Sequence, residues 1–198
     1  MQNTNNKLRY FVELAMLVAV ILLMNFTPLG FLKVGAVEIT FIVIPIAVGA
    51  IVLGPAAGAI LGGVFGVLSF IQCFGASSFG VALFSISPVY TFITCIIPRI
   101  LMGLLAGLIF KALRNDRTKI VSYVVASLGC ALLNTLFFVG CILLFFGNSE
   151  YIQTLRGGAN ILAFFVAFVG ANGLIEAVSC GILGAAIAKA LNVAFKRG

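Results

Sequence analysis

The stretch SPVYTFITCIIPRILMGLLAGLIFKAL, residues 87–113, decides what kind of fold this chain adopts. Apart from Arg99 it carries no charge until Lys111, and its Leu, Ile, Val, Ala, Phe and Gly occupy every helical face rather than one stripe. The run is longer than the roughly 20 apolar residues that cross a hydrocarbon core as an α-helix. A membrane barrel would need short segments of alternating polarity, and this run is continuous. A membrane-spanning helix is the consequence.

Working outward, the same pattern recurs along the chain. Of the 198 residues, 63% are hydrophobic and only 9% charged, with a mean hydropathy of +1.26. A soluble domain carries roughly 25% charged residues to cover its core, so a water-soluble fold is excluded. Apolar runs predict an all-α integral membrane protein: a bundle of six transmembrane helices forming a single membrane domain, 1–198. The helices are expected at residues 8–26, 38–53, 57–74, 87–113, 120–146 and 160–195. Thr27-Pro28 stops the first, Gly54-Pro55 turns the second into the third, and a Gly/Ser-rich segment from Gly75 to Gly80 opens the next loop. Lys7 and Arg9 before the first run resemble the start of a signal peptide. The run is too long for one and no small-residue cleavage site follows, which reads as an uncleaved first helix. No internal repeat supports an inverted-repeat carrier.

Charge sets the orientation. With both termini in the cytoplasm, that side holds Lys7, Arg9, Lys111, Arg114, Arg117, Lys119, Lys189, Lys196 and Arg197, nine of the 12 basic residues. The opposite side keeps Lys33 and Arg156, and the bias follows the positive-inside rule. The formal net charge of +7 is therefore a topological signal and not a nucleic-acid surface.

Two charges fall at membrane depth. Arg99 lies twelve residues before Lys111, and Glu176 thirteen before Lys189. At about 1.5 Å per residue, both sit roughly 18–20 Å from the basic boundary. A charge near the bilayer centre costs at least about 2.5–3.5 kcal/mol unless it faces a partner or cavity. A mutual Arg–Glu pair and a ligand held by the guanidinium fork both satisfy that demand. Pro98 removes a backbone donor beside Arg99 and frees a carbonyl there. Asn172 is one turn from Glu176, Asn134 is mid-helix in the fifth segment, and Gln72, Tyr90 and Asn25 lie toward the outer half. Each alone is most simply a helix–helix hydrogen bond. Together they predict a pocket opening outward under the longer loops after helices one, three and five. Glu13, near the inner end of helix one, either faces an interface or reaches toward water.

Other chemistries lack their residues. The five cysteines (Cys73, Cys95, Cys130, Cys141 and Cys180) are scattered without CxxC spacing, and there is no histidine. No metal site or cofactor is expected, and the cysteines read as small buried hydrophobes. No phosphate loop, HExxH motif, paired catalytic carboxylates or base-assisted nucleophile is present, which argues against an enzyme. Small residues at four-residue spacing (Ala15 and Ala19; Gly58, Gly62 and Gly66; Gly103 and Gly107) make flat helix faces, for bundle packing or for a membrane partner.

These features together resemble the substrate-binding S components of energy-coupling factor (ECF) vitamin transporters. The resemblance is carried by Ala15-Met16-Leu17-Val18-Ala19, similar to the AxxxA docking motif. It is also carried by Lys33 to Glu38 leading into Ile44-Pro45, Gly49-Ala50, Leu53-Gly54-Pro55 and Gly58, and by Pro98-Arg99-Ile100-Leu101 followed by Gly103. It implies a vitamin-binding subunit of a bacterial plasma membrane, with its site under loops one, three and five. It further implies docking through Ala15 and Ala19 to a transmembrane coupling subunit with two ATPase subunits. The likeness is greatest to the pantothenate type, and an intramembrane Arg99 favours a carboxylate-bearing vitamin over cationic thiamine. Without tryptophan or an aromatic pair aimed at the site, riboflavin and folate are less favoured, although Tyr90 and the many Phe residues offer stacking faces. The alternative is a self-sufficient secondary carrier or channel with an Arg99/Glu176 relay.

Overall fold

The computed structural model describes residues 2–27, 30–34, 37–114, 119–157, 160 and 173–194. Its elements are α1 (Gln2–Phe26), a hairpin of β1 (Phe31–Val34) and β2 (Val37–Thr40), α2 (Val43–Val52), α3 (Pro55–Gln72), α4 (Ser78–Ile86), α5 (Pro88–Leu113), α6 (Lys119–Phe146), α7 (Glu150–Arg156) and α8 (Gly173–Ala194). A π-helical turn, Cys180–Gly184, interrupts α8.

Five described helices are long and apolar enough to cross a membrane: the Lys7–Phe26 part of α1, α3, α5, α6 from Ile120, and α8. The helical membrane class is therefore as expected. α2 has 10 residues, which gives it about 15 Å, half of a hydrocarbon core. Its expected start at 38 falls instead on β2, because Val37, Ile39 and Thr40 pair antiparallel with β1 in the register Phe31↔Thr40 and Val34↔Val37. β-branched residues suit that pleated pairing better than a helix interior. The expected last helix, 160–195, is described from Gly173, so the segment that holds Asn172 lies outside the described residues.

Caps explain the two short helices that replace expected loops. Ser77 Oγ accepts from the Gly80 amide at 3.3 Å and starts α4, within the segment read as an open Gly/Ser loop. Ser149 Oγ accepts from the Ile152 amide at 3.4 Å and starts α7, and Gly157 ends it in the left-handed region. Both are ordinary N-cap uses of serine. Gly54, with φ of 103°, turns the chain from α2 into α3, where Pro55 takes the first helical position and needs no amide partner there.

The centre of the bundle is α3 against α5. A Cβ placed on Gly58, Gly62 or Gly66 would meet the carbonyl of Gly103, Arg99 or Cys95 respectively. The glycine strip of α3 is thus spent inside the bundle, as close-packed small-residue faces in membranes are. Ile21, Ile42, Ile46, Leu61, Phe65 and Met102 fill the core around it. Around the outside, side chains such as Phe11, Met16 and Leu23 of α1, Leu144 of α6 and Leu174 of α8 are exposed, an apolar exterior that fits lipid rather than water.

Candidate functional site

Arg99 is brought into the bundle by α5 and is 7% exposed. Its surroundings follow from Pro98. An α-helical amide at position 98 would bond the carbonyl of residue 94, but proline has no amide hydrogen. Arg99 Nη1 donates to that Thr94 carbonyl at 2.6 Å. The guanidinium lies 4.2 Å from the Phe138 ring centre of α6 and 5.6 Å from that of Phe65 on α3. Cation–π contact of this kind is worth about 2 kcal/mol when desolvated. Nε and the Thr94 hydroxyl are buried without hydrogen-bond partners among the described residues.

Glu176, on the first turns of α8, is 5% exposed. Its Oε1 accepts from the Thr40 amide at 2.9 Å. Its Oε2 lies 3.1 Å from Thr135 Oγ1 and accepts from Asn134 Nδ2 at 3.4 Å. Donors from two elements, β2 and α6, therefore converge on a carboxylate carried by a third, which is how a buried charge is tolerated. Asn134 Oδ1 is buried and without a partner among the described residues.

These two groups share one face of α6. Asn134 and Thr135 address Glu176, and Phe138, one turn further along, lies against Arg99. Arg99 and Glu176 do not pair with each other; among the described residues the ion pair is Arg9–Glu13, at 2.8 Å on α1.

The other candidate residues separate. Gln72 Nε2 donates to Asn25 Oδ1 at 2.9 Å, tying α3 to α1. Tyr90 stacks on Phe145 with centroids 4.9 Å apart and planes 9° from parallel, and its ring meets Phe146 edge-on. Asn172 lies outside the described residues. Thr40, Thr94, Thr135, Phe65 and Phe138 are the site neighbours that sequence reasoning passed over. Thr94 was discoverable from Pro98 by counting one turn back. Phe138 and Thr135 follow from Asn134 by helical spacing, whereas Thr40 is brought in only by the tertiary fold. Phe79 of α4 approaches Phe138 at 6.5 Å, and Tyr151 of α7 approaches Phe79 at 6.0 Å. The two short helices thus cover the aromatic side of the site.

Among the described residues, the arrangement offers an anchored guanidinium with its Nε unpaired, an unpaired amide oxygen of Asn134 on α6, and aromatic walls. Such a set suits a small organic anion that also carries hydrogen-bond donors.

A family model described as the ECF transporter substrate-specific component matches residues 9–188. The chain is similar to the pantothenate transporter PanT of Leuconostoc mesenteroides subsp. mesenteroides, 35% identical over 200 aligned residues that cover 95% of this chain and 94% of the relative. It is also similar to the pantothenic acid transporter PanT of Lactococcus lactis subsp. cremoris, 32% identical over 167 residues, 80% of each chain.

Proposed function

The chain belongs to the family of substrate-specific components of ECF transporters, and from that premise we propose that it binds pantothenate for uptake by partner subunits. It is a multi-pass protein of the bacterial cell membrane and a transporter component, not an enzyme. In the proposed complex, six helices cross the membrane with both termini in the cytoplasm. The site then faces outward, and the energy comes from two ATPase subunits acting through a transmembrane coupling subunit docked at Ala15 and Ala19.

One observation carries the substrate assignment. Arg99 holds a buried positive charge with Nε unpartnered among the described residues, while the carboxylate nearest in depth, Glu176, is held by Thr40, Thr135 and Asn134. The carboxylate of pantothenate completes Arg99, and its hydroxyl and amide hydrogens find an acceptor in Asn134 Oδ1. Thiamine, a cation, meets the wrong charge. Gln72, Asn25, Tyr90 and Asn172 are proposed as further substrate-binding residues, of which Gln72 and Asn25 bond each other and Tyr90 stacks on Phe145. Glu176 belongs to it as the group that orients Asn134.

The test is a titration of purified protein with a panel of vitamins, read by calorimetry. Submicromolar binding of pantothenate and weak binding of thiamine are expected. Absence of submicromolar binding for every vitamin overturns the assignment. Solute transport by the reconstituted chain alone, driven by an ion gradient, favours the relay alternative instead.

A further inference from the structure

Cys73 and Cys95 stand apart in the sequence and share no metal-binding or redox spacing, yet the fold sets their sulfurs 3.9 Å apart. Both are free thiols and both are buried. The cause is the glycine strip described above. Gly66 lets α3 approach so closely that a Cβ there would lie 2.8 Å from the Cys95 carbonyl, and Cys73, about two helix turns further along α3, turns its side chain toward that of Cys95. Cys73 is the C-cap of α3, and its thiol donates to the Ser69 carbonyl at 3.3 Å. Either thiol can be the donor across the gap. Cys95 is also one turn before Arg99 on α5.

We propose that Cys73 and Cys95 form an oxidisable dithiol, which a small peroxide converts into a disulfide stapling the end of α3 to α5 beside Arg99. Most buried cysteines in helices are only small apolar fillers. This pair differs because its sulfurs already touch and one of them sits where its helix ends. Reaching the roughly 2.05 Å bond takes about 2 Å of approach by the sulfurs.

The chemistry balances with hydrogen peroxide as oxidant. One thiolate attacks a peroxide oxygen, the O–O bond breaks, and a sulfenic acid and water result once the released proton is taken up. The second sulfur attacks the sulfenic sulfur, the S–O bond breaks, the S–S bond forms and a second water leaves. Peroxide gains two electrons and the two thiols lose two. The resulting bridge closes a loop that holds the turn after α3, all of α4 and the start of α5. Cross-linking such a loop restricts the unfolded chain and raises stability.

The experiment uses the full chain in detergent or lipid nanodiscs, treated with hydrogen peroxide, alkylated, and digested with chymotrypsin without reductant. A peptide pair joined through Cys73 and Cys95 is expected by mass spectrometry, lost on adding dithiothreitol and absent from Cys73→Ser and Cys95→Ser variants. Oxidation is also expected to raise the melting temperature of the wild-type protein and of neither variant. Both cysteines remaining alkylatable, or either one reaching the sulfinic acid without a joined peptide, overturns the proposal. So does a joined protein whose melting temperature does not rise. Neither readout depends on the identity of the transported ligand.

Discussion

Arg99 and Glu176 sit against adjacent turns of the same face of α6 without forming an ion pair with each other. Phe138 lies 4.2 Å from the Arg99 guanidinium, while Asn134 and Thr135, one turn earlier, bond the Glu176 carboxylate. Opposite charges at similar depth are commonly resolved by direct pairing, because each alone is expensive in hydrocarbon. Here each has its own supports. Glu176 is supplied by three hydrogen-bond donors from two elements, β2 and α6. Among the described residues, Arg99 is supplied by one carbonyl and two rings, and its Nε is without a partner.

The incomplete support of Arg99 sets the first prediction. Arg99→Ala is expected to weaken pantothenate binding at least about 30-fold, since losing one partner of a buried, hydrogen-bonded charge pair costs about 2 kcal/mol or more. Arg99→Lys is expected to recover only part of the loss. A lysine ammonium lacks the fork that bonds Thr94 with one nitrogen and a ligand with another. Calorimetric titration of both variants, with thermal melts to show that they are folded, decides it. Wild-type affinity in Arg99→Ala would falsify the placement of the carboxylate.

Glu176 carries the second prediction, with a different readout. In Glu176→Gln the carboxylate charge is lost and one of its oxygens becomes a donor, so the bond from Asn134 Nδ2 loses its acceptor and the bond from the Thr40 amide loses its charge assistance. Leaving a buried donor unsatisfied costs about 1–3 kcal/mol. The variant is expected to melt at a lower temperature, and the Thr40 amide to exchange its hydrogen with solvent faster than in the wild type. Hydrogen-exchange mass spectrometry over residues 30–44 measures this. Unchanged exchange there would mean that the hairpin foot does not depend on the carboxylate.

Much of this was legible from residues alone, for identifiable reasons. Span length and charge placement report the helical membrane class directly, because lipid permits few other solutions. Arg99 and Glu176 stood out because charge at membrane depth is costly, and Pro98 pointed to a freed carbonyl because a missing donor is a local fact. What stayed hidden was tertiary. Thr40 reaches Glu176 across a separation of 136 residues, and no periodicity encodes that contact. The hairpin was hidden behind apolar composition that a helix shares. Serines 77 and 149 read as loop residues because capping and looping draw on the same side chains.

The third prediction concerns the α3–α5 contact. A methyl group on Gly62 would run into the Arg99 carbonyl, which is backbone and has no rotamer by which to yield. Gly62→Ala is therefore expected to destabilise the protein by about 1–3 kcal/mol, the usual range for overpacking, and to shift Arg99 enough to weaken binding. Gly140→Ala is the comparison, since nothing lies within 4 Å of a Cβ placed there. The pair of variants is compared by melting temperature and pantothenate affinity. Equal behaviour would show that α3 and α5 separate at little cost.

The last prediction uses Ala15 and Ala19. Both are exposed on α1, with Met16 and Val12 beside them also exposed, so this small-residue strip is not spent inside the described bundle in the way that Gly58, Gly62 and Gly66 are. A flat face on a lipid-exposed helix is where another transmembrane helix approaches most closely. Replacing both alanines with tryptophan fills that face without entering the core. Pantothenate affinity of the isolated subunit is expected to change by no more than about twofold, within the roughly 0.5 kcal/mol typical of surface substitutions. Uptake into cells, and copurification with the coupling subunit, are both expected to be lost. Retained uptake would place the docking surface elsewhere, and lost binding with retained folding would place the strip within reach of the substrate site.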